Sequence, residues 1–332
     1  MRALHAYAQS DPTRLIYEDA PVPTLASGDV LVRVHASGVS PAELDWGLTW
    51  LHHDGTARTP PIVPGHELSG VVEAIGPGEL TGIAVGSEVF GLTDYRRDGA
   101  DAEYAAVRAD ELIPKPTTLT HAQAAAVPLS AMTAWQALFD HGELERGQRL
   151  LIHGGAGGVG SFAVQFARWR GARVTATSSA RDKELVRELG ADEVLDYRTQ
   201  PFAHAVADQD LVFDTVGGET WERSWQVLRP GGRLVSIAVP RPPDRRASDG
   251  RRTIWFIVDI DTKQLREIGR LIDEGLVRPI VSDVLPLERG LEAYGPGRRS
   301  GGPGKVVLLV AGSPEAEAEA LLSRERQTAG AR

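Results

Sequence analysis

The sequence predicts a mixed α/β protein in which a β-rich, barrel-like domain is followed by a doubly wound parallel sheet. Up to about residue 115, apolar and polar positions alternate in short runs such as DVLVRVHASGV, and glycine and proline separate these runs. From about residue 120, apolar strand, glycine turn and helix recur in order, which is typical of a parallel sheet wound with helices. The length of 332 residues suits two such domains.

The elements of the second half follow one another regularly. We expect strands at RLLIHGG, ARVTATSS, DEVLDY, LVFDTVGG and RLVSIAV, and helices at VGSFAVQFARWRG, RDKELVRELG and WERSWQVLRPGG. The polar loop PRPPDRRASDGRR leads to TIWFIVDI and then to the helix TKQLREIGRLIDEG. A short segment then leads to the strand GKVVLLV, which we expect to return to the first domain.

These patterns give the expected domain limits. The first domain is placed at 1–122, the parallel-sheet domain at 123–275, and a return to the first domain at 276–312. The remaining residues, 313–332, are rich in charged and small residues, so we expect a frayed helix or a disordered tail.

Composition excludes several classes of protein. A formal charge of -9 without a contiguous basic patch argues against nucleic-acid binding. The chain has no cysteine, which excludes disulfides, thiolate nucleophiles and sulfur-ligated metal sites. No apolar run reaches the roughly 18 residues of a membrane span, and the first residues lack the apolar region of a signal peptide. We therefore expect a soluble cytoplasmic enzyme without a membrane partner.

The stretch HGGAGGVG contains Gly155, Gly157 and Gly160 in a G-x-G-x-x-G pattern between an expected strand and an expected helix. Glycine is required where the turn is tight, where the backbone approaches a pyrophosphate, and where the helix packs on the strand. Backbone amides and the positive end of the helix would hold the phosphates. A glycine-rich surface turn is the alternative, but the surrounding strand-helix units favour dinucleotide binding.

The end of the second strand, TATSSARDK, indicates which nicotinamide dinucleotide binds. An acidic residue usually accepts hydrogen bonds from the ribose of NAD there. This sequence instead has Thr177, Ser178 and Ser179, followed by Arg181 and Lys183. Hydroxyls and cations suit the additional 2′-phosphate of NADPH. Capping of the following helix by the serines or by the neighbouring aspartate is the alternative.

Taken in order, the motifs resemble the medium-chain dehydrogenase/reductase superfamily. They are GVSPAELDW, PGHELSGVVEAIG, VGSEVFGL, GADAEYAAV, AAAVPLSAMTAWQAL, HGGAGGVG, ELGADEVLDYR and GKVVL. More narrowly, residues 1–310 are similar to the zinc-free, NADPH-dependent quinone oxidoreductases. The resemblance implies a GroES-like catalytic domain, a Rossmann domain, a cleft between them and often a homodimer joined through Rossmann strands.

The resemblance also implies which residues contact the cofactor. Two glycines and a valine would line the pyrophosphate, a serine and a lysine would hold the 2′-phosphate beside a tyrosine, and a threonine and four apolar residues would flank the nicotinamide and its ribose. In chain order these are Thr133, Gly157, Gly158, Val159, Ser178, Lys183, Tyr197, Val216, Ile237, Ala238 and Val239. Ordinary strand packing is an alternative explanation for the tyrosine and the apolar residues.

GHELSG, at residues 65–70, corresponds to the zinc-ligand motif of zinc-dependent relatives, in which an early cysteine and a third ligand join the histidine. Here the early position is Ser40, and AAAVPLSAM offers no third ligand. A substitute site of His66, Glu67 and Asp45 is disfavoured because adjacent residues of a strand point to opposite faces. We therefore expect no catalytic metal.

Hydride transfer to an activated acceptor remains feasible without a Lewis acid. A quinone or an α,β-unsaturated carbonyl compound spreads the developing negative charge, and water or a side chain can supply a proton. The side chains that we expect around the acceptor are Ser40, Asp45, Trp50, His66 and Tyr95, with an apolar wall of Trp46, Trp50 and Leu51. A metal-dependent alcohol dehydrogenase and a non-catalytic NADPH-binding protein are the alternatives.

Overall fold

The computed structural model describes residues 1–78, 82–295 and 302–311. They form two compact units. The first comprises residues 1–129, 260–273 and the described part of 279–332, and the second comprises 130–259 and 274–278. The domain limits that we expect at residues 122, 275 and 312 stay a prediction. The expected tail at 313–332 lies outside the described residues.

The bounds of the elements are as follows. The strands are β1 (Arg2–Ala6), β2 (Leu15–Asp19), β3 (Asp29–Val39), β4 (Glu67–Ile75), β5 (Glu88–Leu92), β6 (Tyr104–Arg108), β7 (Leu112–Pro114), β8 (Arg149–His153), β9 (Arg173–Ser178), β10 (Glu193–Asp196), β11 (Gln209–Asp214), β12 (Leu228–Ser236), β13 (Arg252–Trp255), β14 (Val281–Pro286) and β15 (Lys305–Leu309). The helices are α1 (His121–Ala125), α2 (Pro128–Trp135), α3 (Gly158–Arg170), α4 (Lys183–Leu189), α5 (Phe202–Ala205), α6 (Glu219–Ser224), α7 (Thr262–Asp273) and α8 (Gly290–Tyr294).

The main sheet of the first unit has seven strands, in the order β14-β15-β3-β4-β5-β7 with β6 also paired to β3. The alternation in β3 is explained by burial, because Val30, Val32 and Val34 are fully buried on one face. Strand β15 pairs antiparallel with β3, as expected for GKVVLLV. This register pairs Val306 with Val39 and so brings the start of β15 to the end of β3.

The second unit contains a six-stranded parallel sheet in the order β10-β9-β8-β11-β12-β13. Counted within this unit, the order is 3-2-1-4-5-6, which defines a Rossmann sheet with its switch point between β8 and β11. The carboxyl ends of these two strands are where such sheets bind their ligands. The expected fold class, a GroES-like domain plus a doubly wound Rossmann domain, is confirmed.

One helix is shorter than the sequence predicts. We expected a helix over WERSWQVLRPGG, but α6 ends at Ser224 and β12 begins at Leu228. Pro230 has no amide hydrogen for a helical bond, and Gly231 has a φ of 76°. The LRPGG stretch instead forms an irregularity at the start of β12, where its register with β11 shifts.

Among the residues that the structure describes, no helix has the length and apolar character needed to cross a membrane.

The close packing of α3 on the preceding turn predicts unequal tolerance of two glycines. A Cβ atom on Gly160 would overlap the carbonyl oxygen of Gly154, whereas one on Gly157 would lie 3.4 Å from that oxygen. We expect Gly160→Ala to lower the free energy of unfolding by about 1–3 kcal/mol, despite the helix propensity of alanine. Gly157→Ala should cost clearly less in the same denaturant titration. Equal losses would contradict the packing described here.

Candidate active site and cofactor-binding turn

The turn between β8 and α3 fits a dinucleotide pyrophosphate. Gly154 has a φ of 74°, and the amide of Gly155 donates to the carbonyl of Thr177 at 2.9 Å, which ties the turn to β9. A Cβ on Gly155 would lie 2.9 Å from the Cβ of Ala176. Gly157 is the N-cap of α3, so no side chain caps the first turn of this 13-residue helix. Its amides are thus positioned for an anion at the positive end of the helix.

The end of β9 has hydroxyl groups and one engaged carboxylate. Ser178 is buried, and its hydroxyl donates to the carbonyl of Ser179 at 3.0 Å. The Ser179 hydroxyl donates to one oxygen of Asp182 at 2.7 Å, and the guanidinium of Arg181 donates to the other at 3.1 Å. Neither Ser179 nor Asp182 caps the helical turn that follows it, so the capping alternative is wrong for both.

Three cationic residues, Arg181, Lys183 and Arg198, follow the ends of β9 and β10 in the chain. Strand β10 places Asp196 beside Ser178, and the next residue, Tyr197, donates its amide to the carbonyl of Ser178 at 3.2 Å. The guanidinium of Arg198 lies 5.2 Å from the centre of the Tyr197 ring. Lys183 is half-buried with its Nζ 3.5 Å from Oε1 of Gln200, and Arg181 is exposed. Arg198 was missed in the sequence because only its stacking on Tyr197 brings it here.

The other expected cofactor contacts differ in exposure. Thr133 on α2 and Ala238 are buried, and the amide of Ile237 donates to the carbonyl of Asp214 at 3.2 Å. In contrast, Val216 is 57% exposed and Val239 is 67% exposed. These two valines follow β11 and β12 at the carboxyl edge of the sheet, where internal packing does not account for them. Their contact with a cofactor stays a prediction.

In the first unit, His66 forms a buried ion pair with Glu43. The Nδ1 atom of His66 lies 2.6 Å from Oε1 of Glu43, and both side chains are 2% exposed. The amide of Gly65 donates to the same oxygen, and Nε2 of His66 lies 3.3 Å from the carbonyl oxygen of Arg97. Burial disfavours the imidazolium, but the Glu43 carboxylate outweighs this cost and raises the pKa of His66. Both ring nitrogens of His66 thus face acceptors, an arrangement that favours the imidazolium.

Glu43 was missed by the sequence reasoning, which named Asp45 as a residue near the acceptor, and that role of Asp45 stays a prediction. Both lie in a 3-10 turn, Glu43–Asp45, two residues apart in SPAELD. The turn directs Glu43 inward, while Asp45 is half-buried and accepts a bond from Gln9 through its main-chain carbonyl. Spacing alone gave no means of choosing between the two carboxylates.

The ring of Tyr95 lies against those of His66 and Trp46. The centre of the Tyr95 ring is 5.4 Å from that of His66 and 5.5 Å from that of Trp46, the latter in an edge-to-face arrangement. The structure therefore brings three of the expected residues together. Trp50 is different: it packs in a buried cluster with Leu4 and others, and its Nε1 donates to the carbonyl of Leu44 at 3.1 Å. The expectation that Trp50 lines the acceptor site is wrong, because the core requires its ring.

Glu67 has partners of its own. Its Oε2 accepts the amide of Leu129 at 3.1 Å, and its carboxylate is paired with the ammonium group of Lys305. Lys305 also donates to Oγ of Ser40 at 2.9 Å, and its side chain is only 7% exposed. Burial raises the pKa of Glu67, and the Lys305 ammonium offsets part of that increase. Lys305 was missed because one polar residue at the start of an apolar strand does not reveal the register of that strand.

The side chains of Ser40 and His66, which occupy two of the zinc-ligand positions of the zinc-dependent relatives, do not suit a zinc ion. Ser40 accepts a hydrogen bond from an ammonium group, and a neutral hydroxyl is a poor zinc ligand. Both ring nitrogens of His66 already face protein acceptors. In residues 1–78, 82–295 and 302–311, no group of three or more His, Asp or Glu side chains is arranged to hold a metal.

A third carboxyl group is buried near this cluster. The hydroxyl of Tyr294 donates to Oδ2 of Asp101 at 2.7 Å, and both side chains are fully buried. Burial, followed by the charge of Glu43, raises the pKa of Asp101 to about 7. Sequence reasoning missed this pair, because its members are 193 residues apart.

Two family models match the chain. The alcohol dehydrogenase GroES-like domain matches residues 26–117, and a domain described as zinc-binding dehydrogenase matches residues 189–308. Together with the Rossmann sheet and its glycine turn, these matches define an oxidoreductase that uses a nicotinamide cofactor.

Individual relatives narrow the assignment. The quinone oxidoreductase of Mus musculus is 29% identical over 93% of this chain and 98% of its own length. The 2-methylene-furan-3-one reductase of Solanum lycopersicum is 31% identical over 86% of this chain and 73% of its own. The chain belongs to the medium-chain dehydrogenase/reductase superfamily and is quinone oxidoreductase-like.

Solved structures of similar fold differ in the nicotinamide dinucleotide that they are described with. Mycobacterial Rv1454c, complexed with NADPH, has a TM-score of 0.81 and 28% identity, covering 93% of this chain and 100% of its own. An NAD-dependent alcohol dehydrogenase has a TM-score of 0.79 and 29% identity, covering 94% and 100%. The similarity of fold therefore does not distinguish NADH from NADPH, and the residues at the end of β9 are the relevant evidence.

The raised pKa of Asp101 predicts a pH-dependent stability. Its pKa is about 7 in the folded chain and about 3.9 when unfolded. The folded state therefore binds more protons between these values, and this contribution to stability is lost as the pH rises through about 7. Asp101→Asn, which cannot ionise, should be more stable than the parent by about 1.5 kcal/mol near pH 5 and by about 4 kcal/mol near pH 8.

Denaturant titrations at both pH values measure this difference. Asp110→Asn is the control, because its hydrogen-bonded partner Arg108 lowers the pKa of that exposed carboxyl group. It should gain no stability on the parent between the two pH values. An Asp101→Asn variant whose stability follows that of the parent at both pH values would rule out a neutral buried Asp101.

Proposed function

We propose that the chain is a zinc-free reductase that uses NADPH to reduce a quinone or an α,β-unsaturated carbonyl compound. The observation that carries this proposal is the contact between Nζ of Lys305 and Oγ of Ser40. Ser40 corresponds to the first zinc ligand of the zinc-dependent relatives, and an ammonium group bonded to this oxygen repels a divalent metal. An activated acceptor can be reduced without a Lewis acid, because it spreads the developing negative charge itself.

The end of β9 supports NADPH as the reductant. A carboxylate that reads the ribose of NAD must have an oxygen available, whereas both oxygens of Asp182 are engaged by Ser179 and Arg181. The nearby cations Lys183 and Arg198 suit a phosphate. Ser178 and Ser179 supply hydroxyl groups at the same strand end.

Each unit contributes a distinct part of the function. When bound, the reduced nicotinamide supplies the hydride. The glycine turn holds the pyrophosphate and so fixes the position of the cofactor. In the other unit, Ser40 offers a hydroxyl group, and Trp46, packed edge-to-face on Tyr95, offers aromatic surface suited to a flat acceptor. The imidazole of His66 is fixed in place, because its two nitrogens are held by Glu43 and by the carbonyl of Arg97.

Two expectations about the context of the protein stay predictions. A cytoplasmic location is one, and some relatives are named as mitochondrial proteins. A homodimer joined through the Rossmann sheet is the other. In this chain, residues 245–247 already pair with the beginning of β13, the edge strand of that sheet.

Elemental analysis combined with a substrate panel tests the proposal. The purified protein is assayed for zinc and for NADPH consumption with quinones, enones and aldehydes, and for oxidation of simple alcohols. We expect far less than one zinc per chain and turnover of a quinone or an enone. One zinc per chain with chelator-sensitive alcohol oxidation would establish the metal-dependent alternative. Binding of NADPH without turnover of any acceptor would establish the non-catalytic one.

Lys183→Glu tests the choice of NADPH. A charge-assisted hydrogen bond to phosphate contributes roughly 1.5–3 kcal/mol, so we expect KM for NADPH to rise about 10- to 100-fold and KM for NADH to change little. Steady-state kinetics with both nucleotides measures this difference. Lys263→Glu, an exposed lysine at the start of α7, is the matched control. A tenfold preference of the unmodified protein for NADH, or equal effects of the two variants, would refute the assignment.

A further inference from the structure

Lys305 stands out in the composition of the chain. Only four of the 36 cationic side chains are lysines, so arginine is the usual cation of this protein. Lys305 is nevertheless almost completely buried, where an ammonium group is costly unless it is paired. Unlike the planar guanidinium group, an ammonium group is compact and directs three donors from one nitrogen.

The surrounding backbone fixes the position of Lys305. The β3–β15 register pairs Val306 with Val39, so that Lys305 and Ser40 are the next residues along the two strands. Glu67 is held in place by the amide of Leu129 and pairs with the ammonium group. One face of the ammonium group is thus neutralised by a carboxylate, and another donates to the Ser40 hydroxyl oxygen.

The direction of this hydrogen bond determines what Ser40 can do. Because the Ser40 oxygen accepts from Lys305, its own hydrogen must point elsewhere, and the side chain is half-buried rather than sealed in the core. A hydroxyl that accepts a bond from a cation becomes a stronger donor, since the two bonds polarise each other. The pair is therefore suited to stabilise negative charge on a nearby oxygen.

We propose that the hydroxyl group of Ser40 donates a hydrogen bond to the oxygen of the acceptor, and that Lys305 is the positioning residue that polarises this hydroxyl group. The inference rests on the proposed function and names the group that takes the electrostatic place of the metal. The charge that develops on the acceptor oxygen during reduction is then stabilised by a hydroxyl group backed by an ammonium group.

Lys115 is a second buried lysine, and its contacts are those of a structural residue. The side chain of Lys115 is also only 7% exposed and lies 3.6 Å from Glu88. Its Nζ donates to the main-chain carbonyls of Pro116 and Leu119 at 3.2 and 2.7 Å. The partners of Lys115 are thus main-chain groups and a carboxylate, whereas Lys305 adds a hydroxyl at a candidate catalytic position. Lys115 with Glu88 is therefore the matched control for Lys305 with Glu67.

The test is a mutant cycle measured with an enone and with an electron-poor quinone. The variants are Ser40→Ala, the double variant Lys305→Met/Glu67→Gln, which leaves no unpaired buried charge, and the triple variant that combines them. We expect Ser40→Ala and the double variant each to lower kcat for the enone by about 10- to 100-fold. The loss should be smaller for the quinone, which stabilises more of the charge itself. KM for NADPH and the melting temperature should differ little from those of Lys115→Met/Glu88→Gln.

The triple variant distinguishes positioning from structure. If Lys305 acts through Ser40, the triple variant loses no more than Ser40→Ala alone. Multiplicative losses, or an equal loss in the Lys115 control, would overturn the proposal. Should the double variant fail to fold, an unchanged kcat of Ser40→Ala overturns it alone, because Ser40→Ala leaves the Lys305–Glu67 pair intact. Absence of turnover by the unmodified protein with every quinone and enone would overturn the proposed function and this inference with it.

Discussion

The candidate active site depends on one constraint: charged groups that leave water must find partners. In the first unit, His66 and Lys305 are cations in buried positions, and each is paired with a carboxylate of its own, Glu43 or Glu67. His66 and Glu67 are adjacent in the chain, and Ser40 and Glu43 are three residues apart. The two pairs therefore join the end of β3, the start of β4 and the start of β15 into one closed network. Removal of one charged member of either pair would leave a buried charge without its partner.

The same constraint explains how a sequence that retains a zinc motif can lack a zinc-ligand set. The histidine is kept, but its nitrogens face a carboxylate and a carbonyl, which favours the imidazolium, a form without a lone pair for a metal. The first ligand position is kept in outline as Ser40, with an ammonium group on its oxygen. The ammonium group of Lys305, balanced by the Glu67 carboxylate, lies where Ser40 replaces the first ligand. This favours acceptors that need only hydrogen bonding and a fixed field.

Local patterns in the sequence predicted most of the fold and the cofactor turn. Period-two alternation identified β3, and the glycine spacing identified the turn before α3, because both follow from geometry within a few residues. Glu43, Lys305 and the Asp101–Tyr294 pair were not found from the sequence. Their contacts depend on strand register and on packing between distant segments. Trp50 was misassigned for a similar reason, since an aromatic residue in a loop can face a ligand or complete a core.

The central claim is that a buried lysine ammonium polarises Ser40, and lysine-labelled NMR tests it most directly, because the chain has only four lysines. We expect the Nζ protons of Lys305 to exchange slowly with water near neutral pH and their signal to shift in Ser40→Ala. The signal of Lys115 should stay unchanged in the same variant. Fast exchange for Lys305, as expected for the exposed Lys263, or a Lys305 signal unmoved by Ser40→Ala, would contradict the account.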